Sequence, residues 1–216
     1  TPIATLVTEY IAFAVRAESA YASGTDLLLR LEEEPHHVTV ALSTALGNPN
    51  HIALAKLLRA LGSDANAPIV RVFDSALDAV ADVMAGNADV CAVTAASLLT
   101  EVEARNARLI AISAPERLAG RFAGVPTWEE LGVPCVVGAW RGVTGPAEMS
   151  VGQVAFWRDV LRKAIATPVW QDELARLSWS AMHIDGGALA DYLANETAEY
   201  TELLDELGLL RVRPGA

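Results

Sequence analysis

The stretch ALSTALGNPNHIALAKLL, Ala41 to Leu58, holds the densest set of groups able to do chemistry. Asn48 is a favourable helix N-cap, and Pro49 in the next position lacks only an N–H that no helix would use. The amides of Asn50, His51 and Ile52 are then expected to stand unpaired where a helix begins, with about half a positive charge behind them. Ser43 and Thr44 add hydroxyl donors, and Ala45 and Gly47 are small enough for a ligand to approach the backbone. Such a set is expected to cradle an anion, and a carboxylate in particular. An ordinary strand-to-helix turn, capped by Asn48 and water, is the competing reading of the same residues.

Other chemistries have weaker support. Ser43, His51 and Asp74 are the residue types of a nucleophilic triad, but the chain has no G-x-S-x-G elbow, and no enzyme is expected. His36 and His37 are adjacent, so their rings are expected to point apart and to hold no metal. His183 stands alone and is expected to be half-buried. No P-loop or dinucleotide fingerprint is present, and no cofactor is expected. Cys91 and Cys135 lie far apart in apolar runs and are expected to be buried free thiols.

The elements that must position these groups alternate between strand and helix, the signature of an α/β fold with a largely parallel sheet. Thr5 to Val15 is expected to be extended, Thr25 to Glu34 a helix stopped by Pro35, and Val38 to Leu42 a strand. Ile52, Leu54, Ala55, Leu57, Leu58 and Leu61 recur at helical spacing before Gly62. A strand at Ile69 to Phe73 should lead into a helix from Ser75 to Ala85 with Asp74 as its N-cap. A strand at Val90 to Val93 then places Thr94 and Ala95 at its end, before a helix at Ala96 to Ala107 and a strand at Leu109 to Ile112. Ala114 to Gly132 has the prolines and glycines of a surface loop. Beyond an extended run at Val136 to Val143 the chain is expected to be mainly helical. Ser150 caps a helix reaching Ile165, Thr167 and Pro168 open another, and Gly187 to Leu207 forms the last. Phe156, Trp157 and Trp170 are expected to pack in the core or between the lobes.

Composition narrows the functional classes. The chain has 216 residues, 52% of them hydrophobic and 20% charged, enough for one large core or two modest ones. A net charge of −11 disfavours a nucleic-acid partner. It leaves room for a small anion, because distant surface charge is screened beyond about 8 Å at physiological salt. The most apolar stretch, Val80 to Leu99, is interrupted by Asp82, Asn87 and Asp89 and reads as no membrane span.

LSTALGNPNHIALAKLLRALG is similar to the loop and helix of the Bug-type (TctC-like) solute receptors of tripartite tricarboxylate transporters. FDSALDAVADVMAGNADV, GVPTWEELG and AWRGVTGPA resemble further segments of that family in the same order, and the resemblance runs from about Pro2 to Gly208. It implies a periplasmic-binding-protein fold of type II, in which two lobes close on a small organic carboxylate and present it to a membrane permease. It also implies a periplasmic location. On that pattern 15–142 is one complete α/β lobe. Residues 1–14 and 143–216 supply hinge strands and the C-terminal, mainly helical part of a second lobe. The family's opening segment has no counterpart before Thr1, so the chain is expected to be a fragment, a shortened paralogue or one part of an assembly.

The ligand-binding residues carried over are Ser43, Thr44, Ala45, Gly47, Asn48, Asn50, His51, Ser75, Thr94 and Ala95, with Trp140 and Gly142 at the hinge. Val93 stands where amino-acid-binding members carry Asp, which implies a carboxylate without an α-amino group. Apolar helix faces left open by the partial lobe are expected to be covered in a homodimer. A ligand-sensing regulatory domain of the same fold is the alternative, and a hydrolase a more distant one.

Overall fold

A computed structural model of the chain describes residues 1–210, so the last six residues of the expected second-lobe portion, 211–216, lie outside the described residues. The strands are β1 Pro2–Arg16, β2 Thr39–Ser43, β3 Ile69–Phe73, β4 Val90–Thr94, β5 Ala107–Ile112, β6 Gly138–Thr144 and β7 Ser180–Asp185. The helices are α1 Gly24–Glu33, α2 Pro49–Ala60, α3 Ala76–Met84, α4 Leu99–Glu103, α5 Val151–Ile165, α6 Pro168–Leu177 and α7 Gly186–Glu206. The chain divides into two units. One comprises Thr1–Glu9 and Ala139–Glu199, and the other Tyr10–Gly138 with residues 200–210. It therefore crosses between them three times, near residues 9, 138 and 199, rather than at the two expected limits of 15 and 142.

The larger unit is an α/β layer structure with strand order β3-β2-β4-β1-β5. β2 runs parallel to β3 and β4, whereas β1 is antiparallel to β4 and β5. The sheet is mixed, because its longest strand enters from the opposite end to those that follow. Alternation along β1 sorts side chains by size: Ile11, Phe13 and Val15 enter one cluster, and Ala12 and Ala14 the other. The bulky face packs on α1 and α2 through Leu27, Leu31, Ile52 and Leu58, each fully buried. Burial of such side chains contributes about 1.5–3 kcal/mol apiece. Trp128 meets Phe13 edge-on at 5.1 Å. The alanine face lets α3 settle closely on the sheet through Ala79, Val80 and Val83.

Two expectations change here. The last turns of α7 belong to this unit, because Leu203 and Leu207 are buried in its bulky cluster. The predicted helix at Ala96 to Ala107 is a 3-10 turn, Ala95–Leu98, followed by the five-residue α4.

In the smaller unit the first half of β1 pairs with β6 and β7. β7, absent from the sequence expectation, runs antiparallel to β1, with Ala4 opposite Asp185 and Thr8 opposite Ser180. Ser150 caps α5 in a capping box with Gln153, and Thr167 caps α6 with Pro168 in its first turn. α5 has no buried residue, and Phe156 and Trp157 are 61% and 46% exposed. This departs from core packing, one of the two placements expected for these aromatics. Among the described residues no helix is long and apolar enough to cross a membrane.

Candidate functional site

β3, β2 and β4 run in the same direction, with Ser43 beside Phe73 and Leu42 beside Ala92. Their C-terminal ends therefore place Ser75, the 43–51 loop and Thr94 along one edge of the α/β unit, where folds of this kind bind ligands.

The loop is held by its own side chains. Thr44 adopts a left-handed backbone, φ 68°, and its N–H donates to the Phe73 carbonyl at 2.7 Å. The Ala45 N–H donates to the Ser43 carbonyl at 3.0 Å, and Ala45 itself is exposed. Gly47, φ 77°, donates its N–H to His51 Nδ1 at 3.0 Å. A Cβ on Gly47 would lie 2.9 Å from Leu204 Cδ2, so its bareness serves the packing of α7 rather than the approach of a ligand.

Asn48 is the N-cap of α2, and its Oδ1 accepts the His51 N–H at 3.1 Å. Its Nδ2 donates to the Ser43 carbonyl at 2.5 Å and to Thr44 Oγ1 at 2.9 Å. Asn50, 6% exposed, donates from Nδ2 to Ser43 Oγ at 2.7 Å. The Ile52 N–H goes to the Asn48 carbonyl at 2.9 Å. Of the three amides expected to stand unpaired, only that of Asn50 lacks a partner among the described residues. The rest of the donor capacity lies in hydroxyls. The oxygens of Ser43 and Thr44 accept from asparagine amides, which leaves their hydrogens available to an acceptor from outside.

His51 is 4% exposed, and burial pushes its imidazole below the usual histidine range. It is neutral at pH 7, with Nδ1 as acceptor and the ring proton on Nε2. It braces the loop from below.

The remaining predicted residues have separate roles. Ser75, rather than Asp74, caps α3: its Oγ accepts the Asp78 N–H at 3.1 Å and donates to Asp78 Oδ2 at 2.7 Å. Asp74 is exposed beyond the cap. Thr94 Oγ1 pairs with Ser97 Oγ at 2.9 Å, and Ala95, 2% exposed, begins the 3-10 turn. Val93 is fully buried in the alanine-side cluster, so its side chain faces the core and says nothing about a ligand amine. His36 and His37 sit on a 3-10 turn that brings their rings to 4.2 Å, against the expectation that they diverge. Cys91 and Cys135 are buried thiols that form no disulfide, and burial raises the Cys91 thiol to about 12.

Trp140 and Gly142 both lie on β6 in the smaller unit. Trp140 Nε1 donates to Glu196 Oε2 at 3.2 Å, and its ring meets Tyr192 edge-on at 5.9 Å. A Cβ on Gly142 would stand 2.6 Å from the Ala4 carbonyl oxygen, so only glycine allows β6 to lie this close to β1. Between them, Arg141 pairs with Glu9, whose side chain is 8% exposed, and its guanidinium lies 5.4 Å from the Trp179 ring centroid. No sequence pattern marked this pair; the nearest signal was a lone Glu in an apolar strand.

Residues 1–209 match the tripartite tricarboxylate transporter family receptor. A UPF0065 protein of the tcbD-tcbE intergenic region in Pseudomonas sp. strain P51 is 28% identical over 96% of this chain and 61% of its own length. The chain thus spans about three fifths of that relative. A TctC solute binding protein from Polaromonas superposes with a TM-score of 0.77 at 22% identity, covering 95% of this chain and 69% of that one. MatC from Rhodopseudomonas palustris, solved with bound malate, does so with a TM-score of 0.72 at 20% identity over 94% and 69% of the two chains. These structures share its fold. With residues 1–209 matched, the chain belongs to the tripartite tricarboxylate transporter receptor family.

Proposed function

We propose that this chain is the ligand-gripping portion of an extracytoplasmic receptor that captures a small carboxylate and delivers it to a tripartite-type membrane permease from the periplasm. The observation that carries this reading is the unpaired Asn50 N–H at the start of α2, beside the Ser43 and Thr44 hydroxyls whose oxygens are already engaged by asparagine donors. A helix N-terminus adds its dipole to these donors. Malate bound to a family neighbour of the same fold supports a hydroxy- or dicarboxylate as the ligand class. Ser43, Thr44, Asn48 and Asn50 form the grip, Ala45 leaves its rim open, and Gly47 and His51 hold the loop in shape. Ser75, Thr94 and Ala95 border it. Trp140 and Gly142 set the strand that leaves the α/β unit.

Titration calorimetry with malate, succinate and aspartate tests the reading. Asn48→Asp keeps the helix cap but replaces the Nδ2 donors with a negative charge. Saturable dicarboxylate binding, weakened about tenfold or more in an Asn48→Asp variant that keeps its circular dichroism signal, is expected. Failure of every carboxylate to bind, or equal binding by Asn48→Asp, would contradict it.

A further inference from the structure

A groove of about 570 Å³ lies between the end of β3 and α3, and the 43–51 loop does not line it. Asp74, Asp78 and Asp82 line it at four-residue intervals together with Val72 and Phe73. The proposed carboxylate ligand has no use for it, because three carboxylates repel an anion. Asp82 adds an independent sign of an unmet partner. Its side chain is 8% exposed, its Oδ1 accepts from Arg71 and Asn87 at 3.2 and 3.3 Å, and its Oδ2 has no partner among the described residues. A buried carboxylate oxygen without a donor is costly, and a cationic donor arriving from the groove would relieve that cost.

The rim has a complementary vacancy. β3 stands at the edge of the sheet with β2 as its one neighbour in the strand order, and Ile69 and Val72 are 54% and 41% exposed. Edge strands present unpaired backbone groups to an incoming strand. Alternate side chains of an added strand recur about every 6.6 Å. Positions four apart on a helix rise about 6 Å, so one face of such a strand can keep step with the acidic row.

We propose that the β3 edge and the α3 acidic row form a docking site for an extended, basic segment of a partner protein, with arginine or lysine at alternate positions. The backbone of the segment adds to β3, and its cations meet Asp78 and Asp82. Its acidic exterior, −11 overall, steers such a segment inward.

The whole chain is titrated with an acetylated, amidated peptide alternating arginine and valine. Three controls accompany it: the same peptide N-methylated at alternate amides, spermidine, and a peptide alternating glutamate and valine. Saturable binding of the first peptide alone, weakened about tenfold in Asp78→Asn and falling as salt is raised, is the expected result. Asp82→Asn should weaken it as well. If that variant loses its circular dichroism signal, the solvent-exposed Asp78 carries the test. No binding of the basic peptide, unchanged affinity in Asp78→Asn, or equal binding by the N-methylated peptide or spermidine would overturn the proposal. The last outcome would mark a diffuse attraction for cations without strand pairing.

Discussion

His51 sets the pH behaviour of the candidate site. Its Nδ1 can accept the Gly47 N–H only while that nitrogen is unprotonated, and burial keeps it so by lowering the imidazole pKa. The unfolded chain returns this histidine to about 6.5, so below that pH the unfolded state binds the extra proton first. Stability is therefore complete above about 6.5 and declines as pH falls from there toward the lower folded pKa. Urea midpoints measured from pH 7.5 down to 5 are expected to drop, and His51→Gln should flatten the slope. A pH-independent midpoint in the parent would contradict this role. At this scale Asn48 and Pro49 were legible in the sequence, because a cap and the first helical position are local properties. The same cap takes two of the three amides, the His51 N–H on its side-chain carbonyl and the Ile52 N–H on its backbone carbonyl, and leaves only the Asn50 N–H.

At the scale of elements, the start of α3 shows what sequence can decide. Asp74 and Ser75 are both good N-caps, but only Ser75 has an acidic residue three positions on, Asp78, to complete a reciprocal arrangement. That spacing is in the sequence and favours the observed cap. Ser75→Ala is expected to cost about 1 kcal/mol in denaturant unfolding, while Asp74→Ala changes stability by less than about 0.5 kcal/mol. The reverse order would contradict the assignment. β7 was out of reach for a different reason. Ser180–Asp185 is short and only partly buried, and its hydrogen-bonding partner lies at the far N-terminus of the chain, Ala4 to Thr8. Periodicity within six residues cannot report such a partner. The direction of β1 was hidden likewise, since alternation marks a strand but not its sense.

For the whole molecule, the sequence changes from alternating elements to helices, while the limits of the two units, near residues 9, 138 and 199, depend on contacts between distant segments. Leu203 and Leu207 continue a helical pattern that gives no hint of entering the other unit's core. The smaller unit leaves α5 uncovered, with Val151, Phe156 and Trp157 exposed on one element. Exposed apolar side chains gathered on one helix favour association. A second copy is expected to cover it, with a dimer in light scattering at micromolar concentration and a shift toward monomer in Trp157→Lys; a monomer throughout would remove the homodimer.

The grip at the start of α2 is tested most directly by nitrogen-15 NMR of the whole chain during titration with malate. A saturable shift of the Asn50 backbone amide, reporting a new acceptor on its N–H and accompanied by Thr44, is the predicted result. An Asn50 amide that stays in place while malate binds elsewhere, or does not bind, would contradict it.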